Sequence, residues 1–186
     1  MEVLLGSKSP RRKDLLQGAG INFTLINIDV KEDYPNSIAL EDVAEFLACK
    51  KSEGYTQNLY NKILLTADTT VLLEGEIINK PKDLNDAIVM LKKMSGKMHT
   101  VFTGVCLRTE KEKISFTDKT NVYFKDLTTE QIKYYIENFN PLDKAGAYGI
   151  QDWIGYVGVS KIDGDFFNAM GLPINRVYEA LQTLGH

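Results

Sequence analysis

The sequence predicts an α/β fold with a mixed sheet, and three observations carry that expectation. Strand-like apolar runs alternate with amphipathic helical stretches through the first half of the chain. Strands joined by short polar turns take over in the second half, which brings antiparallel pairing into the same sheet. The chain has 186 residues and shows no repeat, low-complexity tract or Pro/Ser-rich linker. Residues 1–186 are therefore expected to form one domain, on a prior of roughly 100–200 residues each.

The elements follow in order. Val3–Leu5 is a short apolar run ending at Gly6-Ser7, as in a buried strand. Ser9-Pro10 opens a helix, with Ser at the N-cap and Pro at the first helical position. Leu15 and Leu16 give that helix its apolar face, and the segment from Gly18 to Gly20 ends it. A second strand is expected over residues 23–28, and a helix over 40–55 with Val43, Phe46, Leu47 and Tyr55 at helical spacing. Residues 63–73 read as a strand, with Glu74-Gly75-Glu76 as a hairpin turn into Ile77-Ile78. Residues 84–94 form an amphipathic helix stopped by Ser95-Gly96. Residues 100–107 and 114–124 are strands joined by a charged turn. Thr128 opens another helix, residues 153–162 read as a hairpin, and Leu172-Pro173 leads into a C-terminal helix.

Composition narrows the function. Twenty-two basic against 25 acidic residues leave a net charge of −3, which argues against a protein that coats nucleic acid. A small anionic ligand is compatible with that total, because it feels the local field. Cys49 and Cys106 are far apart and have no His or Cys beside them, so spacing gives no zinc site. Spacing leaves a disulfide open, but two free thiols in a reducing compartment is the plainer reading. The start, Met1-Glu2-Val3-Leu4-Leu5-Gly6, lacks the basic and long apolar stretches of a signal peptide. No apolar run approaches the ~20 residues of a membrane span. A cytoplasmic protein with no membrane partner is expected.

Four places break local rules. Pro10-Arg11-Arg12-Lys13 puts cations in the first turn of a helix, whose N-terminus already carries roughly half a positive charge. This is either a solvated basic face or a seat for a polyphosphate, with Ser7 adding a hydroxyl. Asp68 interrupts an apolar strand, so it either lies exposed at an edge or serves as a site carboxylate at a strand end. Lys80-Pro81-Lys82-Asp83 is surface charge or a further cationic contact. Residues 143–151, rich in Gly and Ala, form a tight structural loop or a backbone that lets a ligand approach closely. His99 and His186 have no partner spacing that suggests a metal pair or triad.

Together these segments resemble the Maf family of nucleoside triphosphate pyrophosphatases over essentially the whole chain. The resemblance rests on Gly6-Ser7-Lys8-Ser9-Pro10-Arg11-Arg12 with Leu15-Leu16, Leu47-Ala48-Cys49-Lys50-Lys51, Ala67-Asp68-Thr69 and Gly75-Glu76 through Asn79-Lys80-Pro81. Further on it rests on residues 91–96, Thr103-Gly104, the run 141–151 (PLDKAGAYGIQ) and Gly171-Leu172-Pro173. The run and the Ser-Pro-Arg-Arg start, at this separation, are the specific parts. Gly6 replaces the usual Ala, and Asp152-Trp153 follows Gln151 where a small residue is common.

The resemblance implies a Maf/ITPase-like fold, a single domain with an elongated twisted sheet flanked by helices around a central nucleotide-binding cleft. It implies a hydrolase of acid anhydrides that cuts a nucleoside triphosphate between the α and β phosphates. Arg12, Lys51 and Lys80 are then phosphate-binding, catalytic cations, with Ser7 beside them. Asp68 is the proton acceptor, and Glu32 with Asp68 holds Mg²⁺ or Mn²⁺. Arg11, Thr69 and Gln151 match the branch that prefers dTTP and UTP. The branch preferring 7-methylated GTP carries Trp, Gln and Glu there. A Gln amide offers both an acceptor and donors to the imide edge of thymine or uracil. The expected role is nucleotide-pool housekeeping. A nucleotide-binding regulator of septum formation is the alternative, and a deaminated-purine pyrophosphatase is disfavoured by Gln151 and Thr69. The family often pairs, and Trp153, Tyr156 and Phe166-Phe167 suggest a homodimer surface.

Overall fold

A computed structural model describes residues 1–186. Its elements are β1 (Glu2–Leu5), α1 (Pro10–Gly18), β2 (Phe23–Leu25), α2 (Val43–Glu53), β3 (Lys62–Leu73), β4 (Glu76–Ile78) and α3 (Leu84–Met94), followed by β5 (Met98–Arg108), β6 (Lys113–Phe124), α4 (Thr129–Asn138), α5 (Trp153–Gly158), β7 (Val159–Asp163), α6 (Phe166–Met170) and α7 (Ile174–Thr183). The seven strands form one open, mixed sheet in the order β2-β1-β3-β5-β6-β7, with β4 on β3. β1 is parallel to both neighbours, with Val3 opposite Phe23 and Leu4 opposite Leu64. β4 and β7 are antiparallel to β3 and β6. The expected mixed α/β sheet is therefore found, flanked by helices.

The chain divides into two compact units, and β3, β5 and β6 contribute residues to both. The first unit comprises Met1–Thr69, Thr103–Asp118 and Gly171–His186. Leu4, Tyr55, Leu59 and Leu64 form one of its apolar clusters, with Ile26 and Ile28 packed on it. α1 buries Leu15 and Leu16, and α2 buries Val43, Ala44, Leu47 and Ala48. The buried stripe of α2 keeps the expected Val43 and Leu47, while Phe46 is only partly buried and Tyr55 lies beyond the helix. Gly104 is required for that packing: a Cβ there would lie 2.1 Å from the Glu45 amide nitrogen. The second unit comprises Thr70–Phe102 and Lys119–Met170. Its core joins Val71, Leu91, Met94, Val122, Ile132, Tyr135 and Ile154. Asp83 caps α3 by accepting from the Asp86 amide at 2.8 Å. Thr128 and Gln131 form a reciprocal capping box on α4.

Three sequence expectations need correction. The strand expected over 23–28 stops at Leu25, because β1 ends opposite it at Leu5. The helix expected over 40–55 spans Val43–Glu53. The hairpin expected over 153–162 is instead α5 followed by β7. A short run rich in aromatic and β-branched residues mimics strands there, but a Cβ at Gly155 would stand 1.8 Å from the Ile150 carbonyl oxygen, so only glycine allows the tight helical entry. Only residues 159–163 reach β6. α6 and the 3₁₀ turn Ala145–Ala147 have no clear sequence period and went unforeseen.

Candidate active site

The loop Gly6-Ser7-Lys8-Ser9 leaves the carboxyl end of β1 and enters α1, the place where parallel α/β sheets bind anions. The Ser9 amide donates to Ser7 Oγ at 3.2 Å, which folds the loop back onto the helix entry. Arg12 follows one turn later and is only 8 % exposed. Its Nε donates to the Gly171 carbonyl at 2.7 Å, and Nη1 to the Ala67 carbonyl at 2.9 Å and to Ser7 Oγ at 3.2 Å. Nη2 donates to Thr69 Oγ1 at 2.9 Å. Four of the five guanidinium N–H groups are thus spent inside the protein. Arg12 ties the β1–α1 loop, β3 and the approach to α7 together while keeping its charge at the loop. Burial pulls its pKa down from the ordinary value, and the nearby Asp68 carboxylate opposes that shift.

Asp68 and Thr69 are the partly exposed pair within an otherwise buried stretch of β3. Asp68 accepts from Lys51 Nζ at 2.5 Å, and Lys51 also pairs with Glu32 Oε1 at 2.8 Å. Lys51 sits in the last turn of α2, where the helix dipole favours a cation. Its side chain is 15 % exposed and that of Asp68 14 %, so this pair is largely withdrawn from water. Glu32 is delivered by the segment before α2. Gly54 gives that segment room, since a Cβ there would meet a Val30 methyl at 2.3 Å. Lys50 fastens the same segment through the carbonyl and carboxylate of Asp33, and this pairing holds the Asp33 carboxyl down at about 2.

The expected site residues Ser7, Arg12, Glu32, Lys51, Asp68 and Thr69 therefore come together in the first unit. Arg11 lies beside Arg12 on α1, at intermediate exposure. Lys80 and Gln151 belong to the second unit. Lys80 is exposed after β4, and Gln151 is partly buried before α5. Gln151 Oε1 is buried and has no hydrogen-bond partner. A buried acceptor of that kind is costly unless a ligand donor completes it.

The run before Gln151 is fixed at several points. Tyr135 Oη accepts from the Gly149 amide at 3.0 Å and donates to Asp152 Oδ2 at 2.8 Å. Tyr148 Oη lies 2.6 Å from His99 Nε2. Gly146 takes φ +72°, a conformation that favours glycine. His99 is fully buried, which pulls its pKa down to about 3.

Two partners were not singled out from sequence. Thr103 Oγ1 lies 3.0 Å from Thr69 Oγ1, and the Gly171 carbonyl receives Arg12. Both fall in segments that the resemblance quotes, but a hydroxyl in a strand and a backbone carbonyl carry no local signal.

No group of three or more His, Cys, Asp or Glu side chains comes together. Mg²⁺, however, is commonly held by one or two carboxylates plus substrate phosphates and water. Glu32 and Asp68, which converge on one ammonium, fit that donor set.

A family model described as Maf-like protein matches residues 2–184. The dTTP/UTP pyrophosphatase of Bacteroides thetaiotaomicron is 44% identical over 185 residues, covering 98% of this chain and 96% of the relative. That of Phocaeicola vulgatus is likewise 44% identical, with the same coverage of both chains. That of Porphyromonas gingivalis strain W83 is 43% identical over 188 residues, 99% of this chain and 94% of the relative.

Proposed function

The chain belongs to the Maf family, and on that premise we propose that it is a hydrolase cutting dTTP and UTP to the monophosphate and pyrophosphate. The observation that carries the reading is Lys51 held between Asp68 and Glu32, beside the buried Arg12. Hydrolysis of the α–β anhydride needs positive charge around the phosphates and a carboxylate that orients and deprotonates water. Arg12 and Lys51 supply charge at the β1–α1 loop, and Ser7 supplies a hydroxyl. Asp68 orients the attacking water and takes its proton. Lys80 is assigned a phosphate contact by its place in the family motif. A Mg²⁺ or Mn²⁺ ion held by Glu32 and Asp68 would neutralise further phosphate charge.

Base choice is assigned to Arg11, Thr69 and Gln151. The unsatisfied Gln151 Oε1 supports it, because thymine and uracil offer one N3–H donor between two carbonyl acceptors. Bases without that donor leave the acceptor unpaired, which a polar site punishes strongly. The regulatory alternative is not favoured. The relatives are named for turnover, and a binder of nucleotides has no use for Asp68.

The proposal takes residues 1–186 as one nucleotide pyrophosphatase domain, supported by a sheet whose strands serve both units. It also takes the protein as cytoplasmic. No helix is long and apolar enough to cross a membrane. A homodimer is proposed on the exposed Tyr156, Phe166 and Phe167, and light scattering behind a sizing column tests it. Trp153, also expected on that surface, is instead partly buried against the core of the second unit. A turnover screen of common and modified triphosphates, with Mg²⁺ or Mn²⁺, tests the function. Preference for dTTP and UTP is expected, and equal turnover of all bases overturns the base-reading part.

A further inference from the structure

Two cysteines stand outside this chemistry, both in the first unit: Cys49 on α2, half-buried, and Cys106 on β5, fully buried. Contacts on every side fix their mutual position. A Cβ at Gly104 would stand 2.1 Å from the Glu45 amide nitrogen and 2.2 Å from the Ala44 carbonyl carbon, so α2 rests directly on β5. One helical turn further, Thr66 Oγ1 donates to the Ala48 carbonyl at 2.7 Å and lies 3.4 Å from the Cys106 carbonyl oxygen. One turn beyond that, Arg108 donates to Ser52 Oγ at 3.1 Å and to the Ser52 carbonyl at 2.6 Å. Four helical residues rise about 6 Å and two strand residues about 6.7 Å, so helix and strand stay in step. Side chains 104, 106 and 108 share one strand face, and Gly104 and Arg108 show that this face meets α2.

The sideways position is fixed as well. Glu45 accepts from Ser115 Oγ at 2.7 Å and Thr117 Oγ1 at 2.9 Å on β6. Glu53 pairs with Lys113 at 3.2 Å. Cys49 lies one turn after Glu45 and one turn before Glu53, on the same row of the helix. The turn in which the Thr109 amide donates to the Glu112 carbonyl sets Cys106 opposite Ser115. Cys49 thus faces Cys106 across the α2–β5 contact, with Ser115, Ser52 and Lys113 around them.

We infer that Cys49 and Cys106 form a dithiol modification site whose co-reactant is a peroxide. The Cys49 thiolate attacks the O–O bond, which breaks to give a Cys49 sulfenic acid and one water once the leaving oxygen is protonated. The Cys106 thiol then attacks the Cys49 sulfur, forming the S–S bond and releasing the second water. Two thiols lose two electrons and one peroxide gains them. The division of roles matches the local chemistry. The Cys49 thiol is pulled down to about 6, first by hydrogen bonding with Cys106 and further by Ser115 and Lys113, against burial and Glu45. Cys106 is pushed up, chiefly by Cys49 and by burial. The consequence falls on α2, because Lys51 follows Cys49 by two residues on that helix and the cross-link anchors it to β5.

The test treats the full-length reduced protein with one equivalent of hydrogen peroxide and measures intact mass and tryptic peptides. Loss of about 2 Da, with the Cys49 and Cys106 peptides joined and separated again by dithiothreitol, is the expected result. The half-buried Cys49→Ser variant, its fold checked by circular dichroism, is expected to show no such loss. Alkylation of both thiols after peroxide treatment would overturn the inference. So would sulfinic acid at Cys49 without a cross-link, or a disulfide only between molecules.

Discussion

Lys51 Nζ lies 2.5 Å from Asp68 Oδ1, and the same ammonium lies 2.8 Å from Glu32 Oε1. One cation therefore sets the position of the proposed water-activating carboxylate and of the second acidic residue together. It comes from the last turn of one helix, and its partners come from a sheet strand and a strapped loop.

Asp68→Asn keeps the shape of the side chain but removes its charge and its ability to take a proton. A fall of roughly 10²–10⁴-fold in kcat is expected, with KM for dTTP little changed. Steady-state kinetics at saturating Mg²⁺ measure it.

Glu32→Gln weakens one of the two carboxylates proposed to hold the divalent ion. The Mg²⁺ concentration for half-maximal turnover is expected to rise about tenfold. Chelation of metal from the wild type should abolish turnover, and Mg²⁺ or Mn²⁺ should restore it. A metal titration of both proteins measures the shift.

Arg12→Lys preserves charge but not the planar fork that reaches Gly171, Ala67, Ser7 and Thr69. A loss of about 2–4 kcal/mol in folding stability is expected, together with lost activity. Urea unfolding measures the first and dTTP turnover the second.

Gln151→Glu replaces the amide that faces the base in the proposed reading. A fall of about 100-fold in kcat/KM for dTTP and UTP is expected, with the unfolding midpoint little moved. Equal losses for every nucleotide would count against base reading.

His99 gives a pH signature of the fold. Burial holds it near 3, below the ordinary value near 6.5, so between those values the unfolded chain binds a proton that the folded chain refuses. That contribution is present above pH 6.5 and is lost as pH falls, at up to about 1.4 kcal/mol per unit. Between pH 7 and pH 5 the wild type should lose about 2 kcal/mol more than His99→Gln, which keeps a polar partner for Tyr148 without titrating. Urea unfolding at the two pH values measures the difference.

Much of this was legible in the sequence where a local rule was broken. Asp68 stood out as a carboxylate in an apolar strand, and the Arg11-Arg12 pair as cations at a helix start. Lys51 did not stand out. A lysine in the last turn of a helix is ordinary, and only the resemblance singled it out. Its contact with Glu32 was invisible because residues 28–33 have no period and reach the site through side-chain packing at Gly54. Arg12 was read as a phosphate ligand, but its engagement with two backbone carbonyls depends on tertiary contacts as distant as Gly171. α5 is hidden in the sequence because a short apolar run rich in aromatic and β-branched residues, Trp153-Ile154-Gly155-Tyr156-Val157, reads equally as a strand or a buried helical turn.

The products of dTTP hydrolysis test the central claim most directly. Phosphorus NMR of the reaction should show dTMP and pyrophosphate appearing in equal amounts, and neither with Asp68→Asn on the same timescale. Formation of dTDP and inorganic phosphate, or undiminished pyrophosphate release by the variant, would contradict it.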